Sequence, residues 1–177
     1  MTTLNALEIC AGAGGQAYGL EKAGFEHSLA VEIDKDAAAT LRLNRPKWDV
    51  HEGDVREIDG RDYKGIDLLA GGVPCPPFSV AGKQLGADAE RDLFPEALRL
   101  VRPATPAAVM LENVKGLGSA RFSDYRDQIL GELDRLGYTA NWQLLFSSEH
   151  GVPQLRPRFI LVAIRGRRGA HFQWPGA

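Results

Sequence analysis

A single cysteine set among prolines is the first place in this chain where chemistry could occur. Gly71-Gly72-Val73-Pro74-Cys75-Pro76-Pro77-Phe78-Ser79 follows the apolar run Ile66 to Ala70, which reads as a buried parallel strand. Two glycines free the backbone, and the prolines then stiffen it around one thiol. Cys75 is therefore expected on a rigid turn at the C-terminal end of a strand, where open α/β sheets gather their ligands and reacting groups. A thiolate at such a place can act as a nucleophile, whereas a cysteine kept for packing sits more naturally inside the apolar run. An ordinary proline-rich connection is the competing reading. A second candidate is Glu112, which opens Glu112-Asn113-Val114 directly after the apolar run Pro106 to Leu111. A carboxylate there can serve as an acid or a base, or simply as one half of a loop ion pair.

A third cluster lies near the N-terminus. Residues 4 to 10 read as a strand, Ala11-Gly12-Ala13-Gly14-Gly15 as a glycine-rich turn, and Gln16 to Ala23 as a helix ended by Gly24. The next strand, Ser28 to Ile33, brings Glu32 to a point 20 residues beyond Gly12. A glycine turn with an acid after the second strand is the βαβ arrangement that holds the ribose of a nucleotide-like ligand. A tight turn beside a surface carboxylate is the plainer alternative. Asp54, just past a short strand from Trp48 to His51, could accept from an adenine amino group or cap a turn.

The remaining elements must position these groups. Asp34 is expected to cap a helix running to about Asn44, and Leu93 to Val101 reads as a second long helix. Val80 to Arg91 is polar and glycine-punctuated, with few apolar anchors, so it is expected to be mobile. Tyr125, Ile129, Leu130, Leu133 and Leu136 make one helical stripe, closed by Gly137. Tyr138 to Phe146 and Phe159 to Ile164 read as two strands, close enough in sequence to pair antiparallel. Strands alternating with helices, then a final strand pair, predict an α/β fold: a doubly wound, seven-stranded, mostly parallel sheet with an antiparallel last strand.

Composition is that of an ordinary soluble protein, with 44% hydrophobic and 25% charged residues in 177. This length suits one catalytic and cofactor-binding domain. No apolar run is long enough to span a membrane, no signal-peptide pattern opens the chain, and two cysteines cannot build a disulfide framework. A cytoplasmic setting and the absence of a bound metal are the expectations. Charge is uneven: the last 28 residues carry +5 and the first 149 carry −7, within a net of −2. A basic end on an acidic body could face a polyanion, or could be a solvated tail.

Glycine turn, Glu32, Cys75 and Glu112 together resemble the cytosine-5 DNA methyltransferases, over nearly the whole chain. Leu7 to Gly15 is similar to that family's first motif, which holds S-adenosylmethionine. Glu32 resembles its ribose-binding acid and Asp54 its adenine-binding acid. Pro74-Cys75-Pro76-Pro77-Phe78-Ser79 resembles the nucleophile motif and Glu112-Asn113-Val114 the motif that holds the target base. Gln154-Leu155-Arg156-Pro157-Arg158 resembles a late motif whose arginines support the catalytic site and the phosphate backbone. The resemblance implies a Rossmann-like S-adenosylmethionine-dependent methyltransferase fold. It implies Cys75, Glu112, Arg158 and Arg156 as catalytic residues. Cys10, Ala11, Gly12, Gly14, Gly15, Glu32, Ile33, Asp54 and Pro74 would line the cofactor site, and Ser79, Gln84 and Arg156 would meet DNA. Carbon 5 of cytosine is a poor nucleophile, so the implied route is addition of the Cys75 thiolate to carbon 6 of a base flipped out of double-stranded DNA. The segment from Val80 to Arg91 would close over that base.

Two departures from the family pattern stand out. Cys10 and Ile33 occupy places where aromatic residues commonly pack on adenine, which predicts weaker cofactor affinity. No target-recognition region or late motif follows Trp174-Pro175, so a split enzyme with a second polypeptide, or a truncated core, is the expectation. RNA cytosine methylation and a catalytically silent partner subunit are the rivals. A nicotinamide dehydrogenase accounts for the glycine turn and leaves Cys75 and Glu112 without roles.

Overall fold

The structure is a computed structural model that describes residues 3–74 and 92–176. Seven strands and four helices alternate along it: β1 (Leu4–Ile9), α1 (Gly15–Lys22), β2 (Phe25–Glu32), α2 (Lys35–Asn44), β3 (Val50–Glu52), β4 (Leu68–Gly71), α3 (Phe94–Ala104), β5 (Ala108–Val114), α4 (Ser123–Arg135), β6 (Tyr138–Phe146) and β7 (Pro157–Arg165). They form one sheet in the order β3-β2-β1-β4-β5-β7-β6. β1 runs parallel to β2 and β4, and β2 parallel to β3. β7 pairs antiparallel with β6 from Tyr138 opposite Arg165 to Phe146 opposite Pro157. The expected seven-stranded α/β sheet is the one that forms. Its last strand in sequence is inserted between β5 and β6, which spacing along the chain does not reveal.

Contacts divide the described residues into two compact units. One takes in the described residues up to Gly72 together with Glu96–Met110; the other takes in Val73, Pro74, the described residues up to Pro95, and those from Leu111 onward. In the first unit, β1 and β4 are buried on both faces, as central parallel strands should be. Ala6, Leu20, Leu68 and Ala70 form one cluster; Ala11, Ala30 and Leu41 form another, with Trp48 and Val50 packed against it. Gly71 has no room for a side chain, because a Cβ would lie 2.5 Å from the Ile9 carbonyl oxygen. Asp34 caps α2 as expected, its Oδ1 accepting from the N–H groups of Asp36 and Ala37, both at 2.9 Å.

One feature of this core has no counterpart in the sequence reading. Glu8 is fully buried in β1, and its Oε2 lies 2.7 Å from His27 Nε2, whose side chain is also fully buried. Trp48 stacks on the imidazole at 4.1 Å.

In the second unit, α4 buries Ile129 and Leu133, and the aromatic rings do much of the packing. Phe94 meets Tyr125 edge-on at 6.0 Å and Trp142 at 5.9 Å; Trp142 in turn stacks on Phe159 at 5.0 Å. Such rings bury large areas with few rotatable bonds, so they fix the hairpin that carries Arg158. Several element ends differ from expectation. β5 continues to Val114 and β7 starts at Pro157, so Glu112 and Arg158 stand on strands and not in the loops beside them. α3 runs through Pro103 to Ala104, beyond the expected end at Val101. Among the described residues no helix is long and apolar enough to cross a membrane, and no cluster of His, Cys, Asp and Glu could hold a metal ion.

Candidate active site

In the first unit the site is built on the turn between β1 and α1. Cys10 (φ 52°), Gly12 (φ 56°) and Gly14 (φ 93°) all take left-handed backbone conformations, which lets the chain reverse within a few residues. Ala11 N–H donates to the Val31 carbonyl at 3.1 Å, holding the start of the turn against β2. Glu32, at the end of β2, fixes the rest. Its Oε2 accepts the Gly12 N–H at 2.6 Å and its Oε1 accepts the Asp34 N–H at 2.8 Å. Sequence reasoning assigned Glu32 to a ligand; here it also organises the protein's own turn. Asp54 likewise caps the turn Val55–Glu57, accepting from the Arg56 N–H and from its guanidinium, each at 2.9 Å. The Arg56 N–H, with help from the guanidinium, holds the Asp54 carboxyl below its usual range.

Cys10 sits among these acids. Burial, reinforced by the negative charges of Glu32 and then Asp54, pushes its thiol up to about 12. A thiol so placed stays protonated near neutrality and is no nucleophile.

The residues fit a nucleoside-bearing ligand. A Cβ added at Gly12 would meet nothing within 4 Å, so open space lies beside the turn. Each Glu32 oxygen accepts one N–H and keeps a further lone pair for a hydroxyl. Ile33, directly after Glu32, is 69% exposed and offers an apolar surface. Gly14 serves packing instead, since a Cβ there would come within 2.7 Å of Leu41 Cδ2. Ala11 is buried in the core and Gly15 opens α1.

The second unit holds Glu112 and Arg158. Glu112 Oε1 pairs with Arg158 Nε, and both side chains are mostly buried. The guanidinium approaches as a close ion pair without an aligned N–H bond, while its Nη1 donates to the Pro157 carbonyl at 2.9 Å. Arg156 is not brought into this pair: its side chain is exposed, while its carbonyl accepts from the Ser147 N–H and its own N–H donates to the Gln154 carbonyl. Gln154 and Leu155 are exposed as well. Pro74, an expected cofactor neighbour, is exposed at the end of the described stretch. Cys75, Ser79 and Gln84, and the segment from Val80 to Arg91, lie outside the described residues.

Two side chains to which sequence reasoning gave no role of their own, Asn113 and Asp92, anchor the chain on either side of that segment. Asn113 is 4% exposed; its Nδ2 donates to the Val73 carbonyl at 2.7 Å, and its Oδ1 accepts the Val114 N–H at 2.8 Å. Asp92 accepts from the Tyr125 hydroxyl at 2.6 Å and from the Phe94 N–H at 3.1 Å, capping α3. Leu93 N–H donates to the Pro74 carbonyl at 3.1 Å. An amide directly after the candidate acid was the available signal for Asn113.

Strand order, the glycine turn and the acid that ends β2 together define a Rossmann-like methyltransferase fold, and solved structures agree. A DNA modification methyltransferase encoded within an Escherichia coli prophage superposes with a TM-score of 0.81 at 25% identity, covering 97% of this chain and 49% of that one. The chain belongs to the C-5 cytosine-specific DNA methylase family, which it matches over residues 4–175. Among curated relatives, the type II methyltransferase M.NgoMIV of Neisseria gonorrhoeae is 59% identical over 169 residues, covering 96% of this chain and 54% of that protein. M.NaeI of Lentzea aerocolonigenes is 56% identical over 178 residues, covering 99% of this chain and 43% of the relative. The chain thus spans about half the length of these relatives. S-adenosylmethionine is the methyl donor of the family.

Proposed function

We propose that this chain supplies the chemistry of a type II DNA methyltransferase that methylates carbon 5 of cytosine in double-stranded DNA. The observation that carries the reading is the Glu112–Arg158 pair: a carboxylate on β5 held by a guanidinium on β7, two residues belonging to separate sequence motifs.

Cys75 is the nucleophile, and its thiolate adds to carbon 6 of the flipped base. Glu112 hydrogen-bonds or protonates ring nitrogen 3, which makes carbon 6 electrophilic and stabilises the charge that the addition pushes into the ring. Arg158 orients Glu112 and offsets negative charge near the ring oxygen. Addition turns carbon 5 into the nucleophilic end of an enamine. Loss of its proton after methylation then reforms the double bond and expels the Cys75 thiolate.

S-adenosylmethionine supplies an electrophilic methyl group. Glu32 and Asp54 would hold its ribose and adenine, with Ile33, Cys10, Gly12 and Gly15 beside it and Ala11 and Gly14 packing the turn from behind. Arg156, with its side chain exposed, serves the phosphate backbone, as do Ser79 and Gln84 for the DNA strand.

The test is transfer of tritiated methyl groups from S-adenosylmethionine to duplex DNA by the intact protein. Label in 5-methylcytosine that is lost in Cys75→Ser supports the reading. Label retained in that variant, or found only in RNA, contradicts it.

A further inference from the structure

Beside the glycine turn lies a cavity of about 270 Å³, bounded by α1, α2 and the turn that follows α2. Among the described residues, Cys10, Glu32, Ile33 and Asp54 take no part in its lining. Its charged group is the Arg45 guanidinium, which is already fixed in place. Nε and Nη2 donate to the Glu21 carboxylate at 3.0 and 2.6 Å, and Nη1 donates to the Asn44 carbonyl at 2.9 Å. Three of the five N–H groups of an arginine are thus engaged, and two remain uncommitted among the described residues. Two rings flank the guanidinium, whose carbon is 5.7 Å from the centroids of both Tyr18 and Trp48. Trp48 is stacked in turn on the buried His27 at 4.1 Å, which fixes its plane. Tyr18 is 51% exposed, and Gly14 and Leu41 add apolar lining.

We propose that this cavity is a second ligand site, separate from methyl transfer, which takes the purine base of a nucleotide and prefers guanine. An anion placed at the guanidinium would also face the Glu21 carboxylate, so charge is not what the site selects. What it offers is directional N–H donors between two π faces. Paired acceptors on one edge of a planar ring satisfy such donors. Guanine presents O6 and N7 there, whereas adenine sets an amino group beside N7. Tyrosine and tryptophan stack on any base. The volume falls just below the roughly 300–1,000 Å³ of sites for drug-sized molecules, which suits a single ring system. Lys22 Nζ, 5.3 Å from the Tyr18 ring centroid, is placed to meet a phosphate carried by that base.

Calorimetry of the intact protein, free of DNA and saturated with S-adenosylmethionine, tests this with GMP and AMP as probes. GMP should bind about fivefold to a hundredfold more tightly than AMP. Arg45→Lys keeps the charge but loses the planar fork, and should abolish that preference. Tyr18→Ala, at a half-exposed position, should weaken both nucleotides by about fivefold to a hundredfold. It should leave the rate of methyl transfer as in wild type. Circular dichroism checks that each variant is folded, and the wild-type preference for GMP needs no variant at all. A short duplex with an unpaired dG overhang, compared with its blunt form, separates the two sources of such a base. Tighter binding of the overhang supports the site with a strand end as its source; equal binding of the two duplexes, beside binding of GMP, supports it with a free nucleotide. Equal affinity for GMP and AMP, GMP binding only when S-adenosylmethionine is absent, or binding indifferent to both substitutions would overturn the proposal. GMP binding by a protein that methylates no cytosine would support this site and overturn the function proposed above.

Discussion

Glu32 holds the backbone N–H of Gly12 at 2.6 Å across 20 residues of sequence. The acid assigned to the ribose is therefore also the clasp of the glycine turn, and the two duties are separable. Glu32→Ala should weaken S-adenosylmethionine binding by about 1.5–3 kcal/mol, the worth of a hydrogen bond to a charged group, or roughly tenfold to a hundredfold in Kd. Glu32→Gln keeps the shape but turns an amide toward one of two backbone donors. It should lower unfolding stability by about 1–3 kcal/mol as one N–H loses its partner. Calorimetry with the cofactor and a denaturant titration measure the two effects; unchanged affinity in Glu32→Ala would place the ligand elsewhere.

Two glycines make contrasting predictions. Gly71→Ala would drive a Cβ to 2.5 Å from the Ile9 carbonyl oxygen inside the sheet, where the backbone cannot give. Loss of folded protein is the expected outcome, seen as aggregation or absent near-ultraviolet circular dichroism. Gly12→Ala meets no atom within 4 Å and carries only the strain of φ 56°, about 1–2 kcal/mol. It should fold and yet bind S-adenosylmethionine poorly, because the new methyl group occupies the ligand's approach.

These contrasts show where the sequence was readable. Alternation of apolar runs with capped helices disclosed all seven strands, and Asp34 and Gly137 punctuate as their types demand. Spacing placed Glu32 and the glycine turn in one unit because a βαβ link has nearly fixed length. Element ends were less legible: β5 runs on through Glu112 and Asn113, since polar residues continue a strand wherever a partner strand satisfies their backbone. The insertion of β7, the Asn113 tie over 40 residues and the Glu8–His27 pair are long-range facts with no local signature.

Alkaline pH should act on the half-buried Cys10. Its thiol is raised from 9.0 to about 12 in the fold, so the folded state prefers the protonated form. That preference contributes stability in full below about pH 9, and the contribution is lost as pH rises toward 12. Tyr138, raised from 10.0 to about 12 by burial, acts with the same sign. Urea unfolding at rising alkaline pH should therefore show stability falling, and falling less steeply in Cys10→Ala, where only the tyrosine remains of the two. Identical slopes in wild type and variant would contradict the burial of the thiol.

Breaking the ion pair should slow the chemistry while DNA is still bound. Glu112→Gln removes the carboxyl proposed to hydrogen-bond or protonate nitrogen 3 and should lower kcat by about a hundredfold or more. Arg158→Lys keeps the charge but loses the planar guanidinium that reaches Glu112, and should cost about tenfold to a hundredfold. Gel-shift affinity within a few-fold of wild type, beside the fall in single-turnover rate, is the expected pattern. A normal rate in Glu112→Gln would remove it from the mechanism.

The most direct test of the account is covalent capture. Duplex DNA in which the target cytosine is replaced by 5-fluorocytosine is incubated with the intact protein and S-adenosylmethionine, then resolved on a denaturing gel with peptide mapping. Carbon 5 then carries fluorine where a proton must leave, so elimination fails and the thioether persists. The account predicts a stable protein–DNA adduct that maps to Cys75, is absent in Cys75→Ser and persists in Cys10→Ala. No adduct with wild type, or one that survives Cys75→Ser, would contradict it.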